Sequence, residues 1–179
     1  MGLEIFAMTR RGGCKSNCGR PMEMELEIRA MARRDVPRVH ELECICFRTP
    51  WSKLALFGEL RNDVAHYRVA ELDGQIIGYA GMWVLFEEAH LTNVAVAPEY
   101  RRKGYAMQLL LAMMECAKQN GATMMTLEVR ESNLGAQNLY RQMDFVQNGL
   151  RPRYYSDTGE AALLLWNMDI QKTMERYGR

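Results

Sequence analysis

The chain has 179 residues, 48% of them hydrophobic and 25% charged, with a formal net charge of +1, which suits one globular domain with a sizeable core. A balance this near neutral lacks the broad positive field that general nucleic-acid binding needs. No apolar run approaches the roughly 18 residues that span a bilayer, and the start lacks the basic and apolar segments of a secretory signal.

Phe6 stands where a myristoylation signal has Ser or Thr, so the expected location is cytoplasmic, without membrane attachment. Residues 1–21 include "TRRGGCKSNCGRP", glycine-rich, basic and without periodicity; they are expected to be a disordered leader. Met22 and Met24 are candidates for the translation start. The domain is expected over residues 22–170, with 171–179 as a C-terminal tail. The five cysteines, Cys14, Cys18, Cys44, Cys46 and Cys116, are odd in number and expected to be free thiols. Cys14 and Cys18 with one of the three histidines are a weak zinc signal without a second close pair, and no metal is assigned.

From Met24, "MELEIRA" alternates as a strand does, and Asp35 is placed to cap a helix over "VPRVHELECICF", with Pro37 in its first turn. A short helix follows "TPWS". Then "HYRVAEL", the turn Asp73-Gly74 and "QIIGYAGMWVLF" read as a hairpin. A further strand, "AHLTNVAV", precedes "YAMQLLLAMMECAKQ", whose apolar spacing is helical and which ends at Asn120-Gly121. "TMMTLEV" is again a strand, Asn133 opens the helix "LGAQNLYRQM", and "VQNGLRPRYY" and "AALLLWNM" are the last strands. Met107, Met113 and Met114 stand at helical spacing among leucines and read as core filling. His40, His66 and His90 are scattered and receive no catalytic role.

A strand, helix, strand crossover is parallel and right-handed, so Val96 and Val129 should end at one edge of a sheet, where ligands bind. Between the first strand and its helix stands "RRKGYA". Free amides at a helix start favour an anion, and Gly104 lets it approach, so the loop reads as a phosphate cradle. It matches neither the Walker loop nor the dinucleotide fingerprint, and from six residues a solvated basic turn reads equally well. Glu128 shares the edge, and Asn133 and Tyr140 follow on the next helix; a base and a phenol converge on one pocket.

Taken together, "VAVAPEYRRKGYA", "TLEVRESNLGAQNLYRQMDF" and "RPRYYSDTGEAALLL" resemble the GNAT acetyltransferases, and within them the RimI-type branch of ribosomal-protein-alanine N-acetyltransferases, over about residues 24–170. The resemblance implies an α/β GNAT fold: a mixed, mostly antiparallel sheet with one parallel strand pair at the acetyl-CoA site and flanking helices. It implies acetyl-CoA as acetyl donor and a protein N-terminus, of a ribosomal protein beginning with Ala, as acceptor. A small-molecule amine or lysine as acceptor, or a non-catalytic acetyl-CoA-binding module, are the alternatives.

By position the resemblance places the thioester arm on Val94, Ala95 and Val96, the pyrophosphate on Arg102, Lys103, Gly104, Tyr105, Ala106 and Met107, and a further cofactor contact on Asn133. Glu128 matches the general base and Tyr140 the general acid, while Trp51, Tyr154 and Tyr155 match aromatic positions near the acceptor peptide. The chain departs from the pattern at Met143-Asp144-Phe145, where Gly-Phe is usual, and at Ala161, where Asp is common. Asp144 is expected to cost stability rather than activity.

Overall fold

The structure, a computed structural model, describes residues 26–177; the leader, the starts at Met22 and Met24, Cys14 and Cys18 lie outside the described residues. Seven strands form one sheet in the order β1-β2-β3-β4-β5-β7-β6. They are β1 (Leu26–Ala30), β2 (Ala65–Leu72), β3 (Gln75–Leu85), β4 (Glu88–Val96), β5 (Met124–Arg130), β6 (Val146–Tyr155) and β7 (Glu160–Asn167). Only β4 and β5 pair in parallel, because the helix between them lets the second strand return in the same direction. The other neighbours are antiparallel, and β2 and β3 meet at the expected Asp73-Gly74 turn, both residues with positive φ.

Helices cover both faces: α1 (Val36–Cys46) and α2 (Lys53–Glu59) lie on one, and α3 (Tyr105–Gln119) with α5 (Ile170–Tyr177) on the other. The short α4 (Leu134–Gln142) connects β5 to β6. Leu109, Leu110, Met113 and Met114 of α3 are fully buried, each contributing about 2 kcal/mol of burial, as their spacing predicts. They pack on Met125, Leu127 and Val129 of β5. Beneath α1 and α2, Val36, Val39, Leu42 and Leu56 meet Tyr67, Val69 and Tyr79.

Three expectations change. Asp35 precedes α1, but its carboxylate makes no cap bond to that helix. It turns back instead to the Ala32 N–H at 2.7 Å and to Arg29 at 2.7 Å, because a half-buried guanidinium is the stronger partner; Arg29 holds the Asp35 carboxyl below the usual carboxylate range. Residues 171–179, read as a tail, supply most of α5, whose Ile170, Thr173, Met174 and Tyr177 recur at helical spacing and face the core while the rest is polar. Asp144 has φ 61° and ties α5 down, accepting from Thr173 Oγ1 at 3.0 Å and pairing with Arg176 at 2.7 Å.

β4 contains the irregularity that shapes the molecule. Met82 stands opposite Leu91 but Gly81 opposite Asn93, so Thr92 is an extra, bulged residue. Ahead of it Ala89 and Leu91 face α3; beyond it Val94 and Val96 do, and Ala95 joins the α1 side. Gly81 sits across from the bulge because a Cβ there would be driven into the ring of buried Tyr67. Gly81→Ala is therefore expected to cost about 2 kcal/mol by overpacking and to lower Tm by roughly 4–8 °C in a calorimetric scan. An unchanged Tm would mean the ring has room to move.

Candidate active site

β4 and β5 pair from Glu88 with Met124 only as far as Leu91 with Leu127. Both strands run on, β4 held by β3 and β5 by β7, so past the bulge they part and a wedge opens between them. The Ala97 N–H bonds Ile77 of β3; by antiparallel alternation Asn93 and Ala95 also bond β3, and the amides of Val94 and Val96 point into the wedge. The Val96 carbonyl accepts from Arg101 Nε at 3.0 Å, which ties the following loop to the wedge.

That loop passes a short 3-10 turn, Pro98–Tyr100, and reaches α3 through Arg102 (φ 63°) and Gly104 (φ 85°). A left-handed residue before the first turn directs successive amides to one side. The N–H groups of Gly104, Tyr105, Ala106 and Met107 precede the first full helical bond, which runs from the Gln108 N–H to the Gly104 carbonyl at 3.2 Å. Arg101, Arg102 and Lys103 are exposed around them, Lys103 lying 5.3 Å from the centre of the Tyr100 ring. Open space surrounds the Cβ position of Gly104, so glycine is needed there for its backbone conformation. Free amides, a helix start and three cations fit a polyphosphate.

Glu128 lies on β5, opposite Leu164 of β7. By the strand period it faces the α1–α2 side, away from Met125, Leu127 and Val129. Its side chain is 30% exposed and 3.5 Å from the guanidinium of Arg151 on β6. Tyr140 is buried in α4 and packs edge-on to Phe145 at 5.7 Å. Gln137, one turn earlier, fixes α4 to the end of β5 by donating to the carbonyls of Arg130 and Glu131 at 3.1 and 2.8 Å. Burial, with a smaller push from Tyr155, lifts the Tyr140 hydroxyl well above the ordinary phenol range. Tyr155 is itself pushed up to about 12, by burial first, with Arg130 opposing and Tyr154 and Glu128 adding. Tyr155 thus feels the charge of Glu128 and adds to the shift of Tyr140.

Arg130 organises its edge, stacking 3.7 Å over Tyr155 and forking to Asp157 at 2.9 and 3.0 Å. Tyr154 is 46% exposed and meets Tyr155 at 5.2 Å, edge to face. Arg130 is the main cause that holds Asp157 below the carboxylate range, with Arg48, ahead of α2, adding to it. Trp51 is in the loop between α1 and α2 and is linked to β4 through Glu43. Asn133 caps α4, its Oδ1 accepting from the Ala136 N–H at 3.2 Å, a bond that does not use its Nδ2.

Sequence reasoning missed Arg101, Arg151 and Glu43. The two arginines stand in basic runs that give no sign of which member pairs with Val96 or Glu128. Shallow hollows near α5, bordered by Asp169 and Lys172, contain none of the residues expected to act.

Residues 36–145 match the profile of the acetyltransferase (GNAT) family. The chain belongs to that family. A Bacillus subtilis (strain 168) protein provisionally named ribosomal protein bS18-alanine N-acetyltransferase is 39% identical over 146 residues, 81% of this chain and 97% of that one. The N-alpha-acetyltransferase RimI of Mycobacterium tuberculosis is 35% identical over 75% of this chain and 87% of its own length. Among solved structures, the ribosomal-protein-S18-alanine N-acetyltransferase of Escherichia coli superposes with a TM-score of 0.73 at 27% identity, covering 79% of this chain and 92% of that one. The GNAT fold expected from the sequence is the fold observed, and as a family member the chain is an acyltransferase. Among the described residues no helix is long and apolar enough to cross a membrane.

Proposed function

We propose that this acetyltransferase moves the acetyl group of acetyl-CoA to the N-terminal α-amine of a protein, a ribosomal protein beginning with alanine, in the cytoplasm. The observation that carries the reading is the wedge past Leu91 and Leu127, with backbone amides on one wall and Glu128 beside the other. The names of two relatives, 39% and 35% identical over most of their length, point to the same acceptor.

In this reading the amides from Gly104 to Met107, with Arg102 and Lys103, hold the pyrophosphate, Val94 to Val96 align the thioester arm as an added strand would, and Asn133 contributes its Nδ2. Acetyl-CoA supplies the activated acyl group. The Val96 N–H polarises the carbonyl. Glu128, through water, accepts the amine proton as the nitrogen–carbon bond forms, and Tyr140 donates its proton to the departing thiolate sulfur. Burial keeps the Tyr140 hydroxyl protonated well above neutral pH, as a proton donor requires.

An α-amine suits this machinery better than lysine. With pKa values of about 8 and about 10.4, exposing the neutral lysine amine at pH 7 costs roughly 3 kcal/mol more. Trp51, Tyr154 and Tyr155 provide an aromatic border for an extended peptide. The test is acetylation of a peptide panel that differs in the first residue, beside N-terminally blocked lysine peptides and spermidine. The alanine-first peptide is expected to be acetylated with a kcat/KM at least tenfold above the blocked peptides. Equal or faster transfer to spermidine or to lysine would overturn the acceptor assignment.

A further inference from the structure

We propose that Glu43 is a positioning residue of the acceptor site, clamping the backbone of Trp51 to the strand that forms one wall of the wedge. This rests on the reading that puts Trp51 beside the acceptor peptide.

Glu43 stands on α1 and is fully buried. One carboxylate oxygen accepts from the Trp51 N–H at 2.6 Å. The other accepts from Asn93 Nδ2 at 3.0 Å and from the Tyr79 hydroxyl. Among the described residues no cation stands within ion-pair distance of it. A carboxylate satisfied only by neutral donors is a costly core residue, since removing an ion from water costs several kcal/mol. Fold stability alone would favour leucine on this stripe of α1, where Val36, Val39 and Leu42 are its buried companions.

What the acid provides is two acceptor atoms on one rigid fork, reaching donors from three separate parts of the chain. Asn93 is the first residue past the bulge and precedes Val94, whose amide opens the wedge. Trp51 lies on the acceptor-side loop, and its carbonyl oxygen is 3.0 Å from His40 Nδ1. Both backbone groups of Trp51 are thereby fixed to α1, and through Glu43 the loop is registered against β4. A loop displaced by about 1 Å would hold the peptide amine off the acyl carbon.

Two variants separate reach from charge. Glu43→Asp keeps the charge but withdraws the oxygens by about one methylene, so it cannot span Trp51 and the sheet donors together. Glu43→Gln keeps the reach: its oxygen can serve the Trp51 N–H, and once the Asn93 amide turns over, its own amide donates to Asn93 Oδ1, a buried atom without a partner. With acetyl-CoA and an alanine-first peptide, Glu43→Asp is expected to raise the peptide KM about tenfold, the equivalent of one lost hydrogen bond. Glu43→Gln should stay within about threefold, both should bind acetyl-CoA as the parent does, and Glu43→Asp should add nothing in a Trp51→Ala background. Should Glu43→Asp not fold, Tyr79→Phe unties the carboxylate from β3 alone and is expected to raise the peptide KM about threefold at constant acetyl-CoA affinity; no change there overturns the proposal. A Glu43→Gln defect as large as that of Glu43→Asp, or an equal loss of acetyl-CoA affinity, also overturns it. If Trp51→Ala leaves the peptide KM unchanged, the acceptor placement itself is wrong; if Trp51→Ala raises it and Glu43→Asp is silent, only the role of Glu43 fails.

Discussion

Gly104→Glu is expected to eliminate measurable acetyl-CoA binding while the chain stays folded. The residue before α3 has φ 85°, and open space surrounds its Cβ position. A side chain there meets backbone strain of about 1–2 kcal/mol and no clash. The glutamate carboxylate would lie among the amides of Gly104 to Met107 and the neighbouring cations, taking the place of the pyrophosphate. Like charges set side by side cost several kcal/mol, so affinity should fall at least about a hundredfold. Gly104→Ala imposes the same strain without charge, and a loss of less than about tenfold is expected. Titration calorimetry reads both, with circular dichroism to verify folding. A folded Gly104→Glu chain that binds acetyl-CoA normally would remove the loop from the site.

What the sequence made legible follows from how local each signal is. The β2–β3 hairpin was readable because Asp-Gly fixes its turn within two residues, and α3 because fifteen residues keep one apolar period. The positions of Glu128, Tyr140 and the loop were readable from a pattern concentrated between residues 94 and 140. The wedge depends on a pairing that stops midway, and pairing is not local. Its trace was present: the apolar residues of "AHLTNVAV" fall at 89 and 91, then at 94 and 96, a slip of one in a period of two.

Glu43 left a similar trace. It lies four residues after Val39 and seven after Val36, inside the apolar stripe of its own helix, where an acid without a partner is anomalous. Spacing reveals that anomaly, but its three donors come from β3, β4 and a loop, and only the fold brings them together. Asp35 illustrates the opposite limit. Capping chemistry is a local preference worth about 1 kcal/mol, and a guanidinium six residues earlier outweighed it. α5 escaped notice because its hydrophobic face has few members among polar residues; its burial against α3 is a tertiary fact.

Glu128→Gln is expected to keep acetyl-CoA affinity and lower turnover roughly 10²–10⁴-fold near neutral pH, the range for loss of a general base. The substitution removes an ion pair with Arg151, but the arginine is 56% exposed, and such surface pairs contribute little stability. The defect should narrow as pH rises, since above the acceptor amine's own pKa of about 8 the nucleophile is already neutral and a base has less to do. Tyr140→Phe should behave differently. Its hydroxyl is held well above the usual phenol range by burial, so it remains a proton donor throughout the working range, and its loss falls on the leaving thiolate at every pH. The turnover defect of Tyr140→Phe should therefore stay constant while that of Glu128→Gln shrinks. Phe fills the same space against Phe145, and folding should be preserved. The measurement is acetylation of an alanine-first peptide from pH 6 to pH 9 for the parent and both variants. If Glu128→Gln turns over like the parent at pH 7, the amine loses its proton by another route and Glu128 is not the base. If both defects shrink together with pH, Tyr140 acts on the amine side and the division of roles between acid and base is wrong.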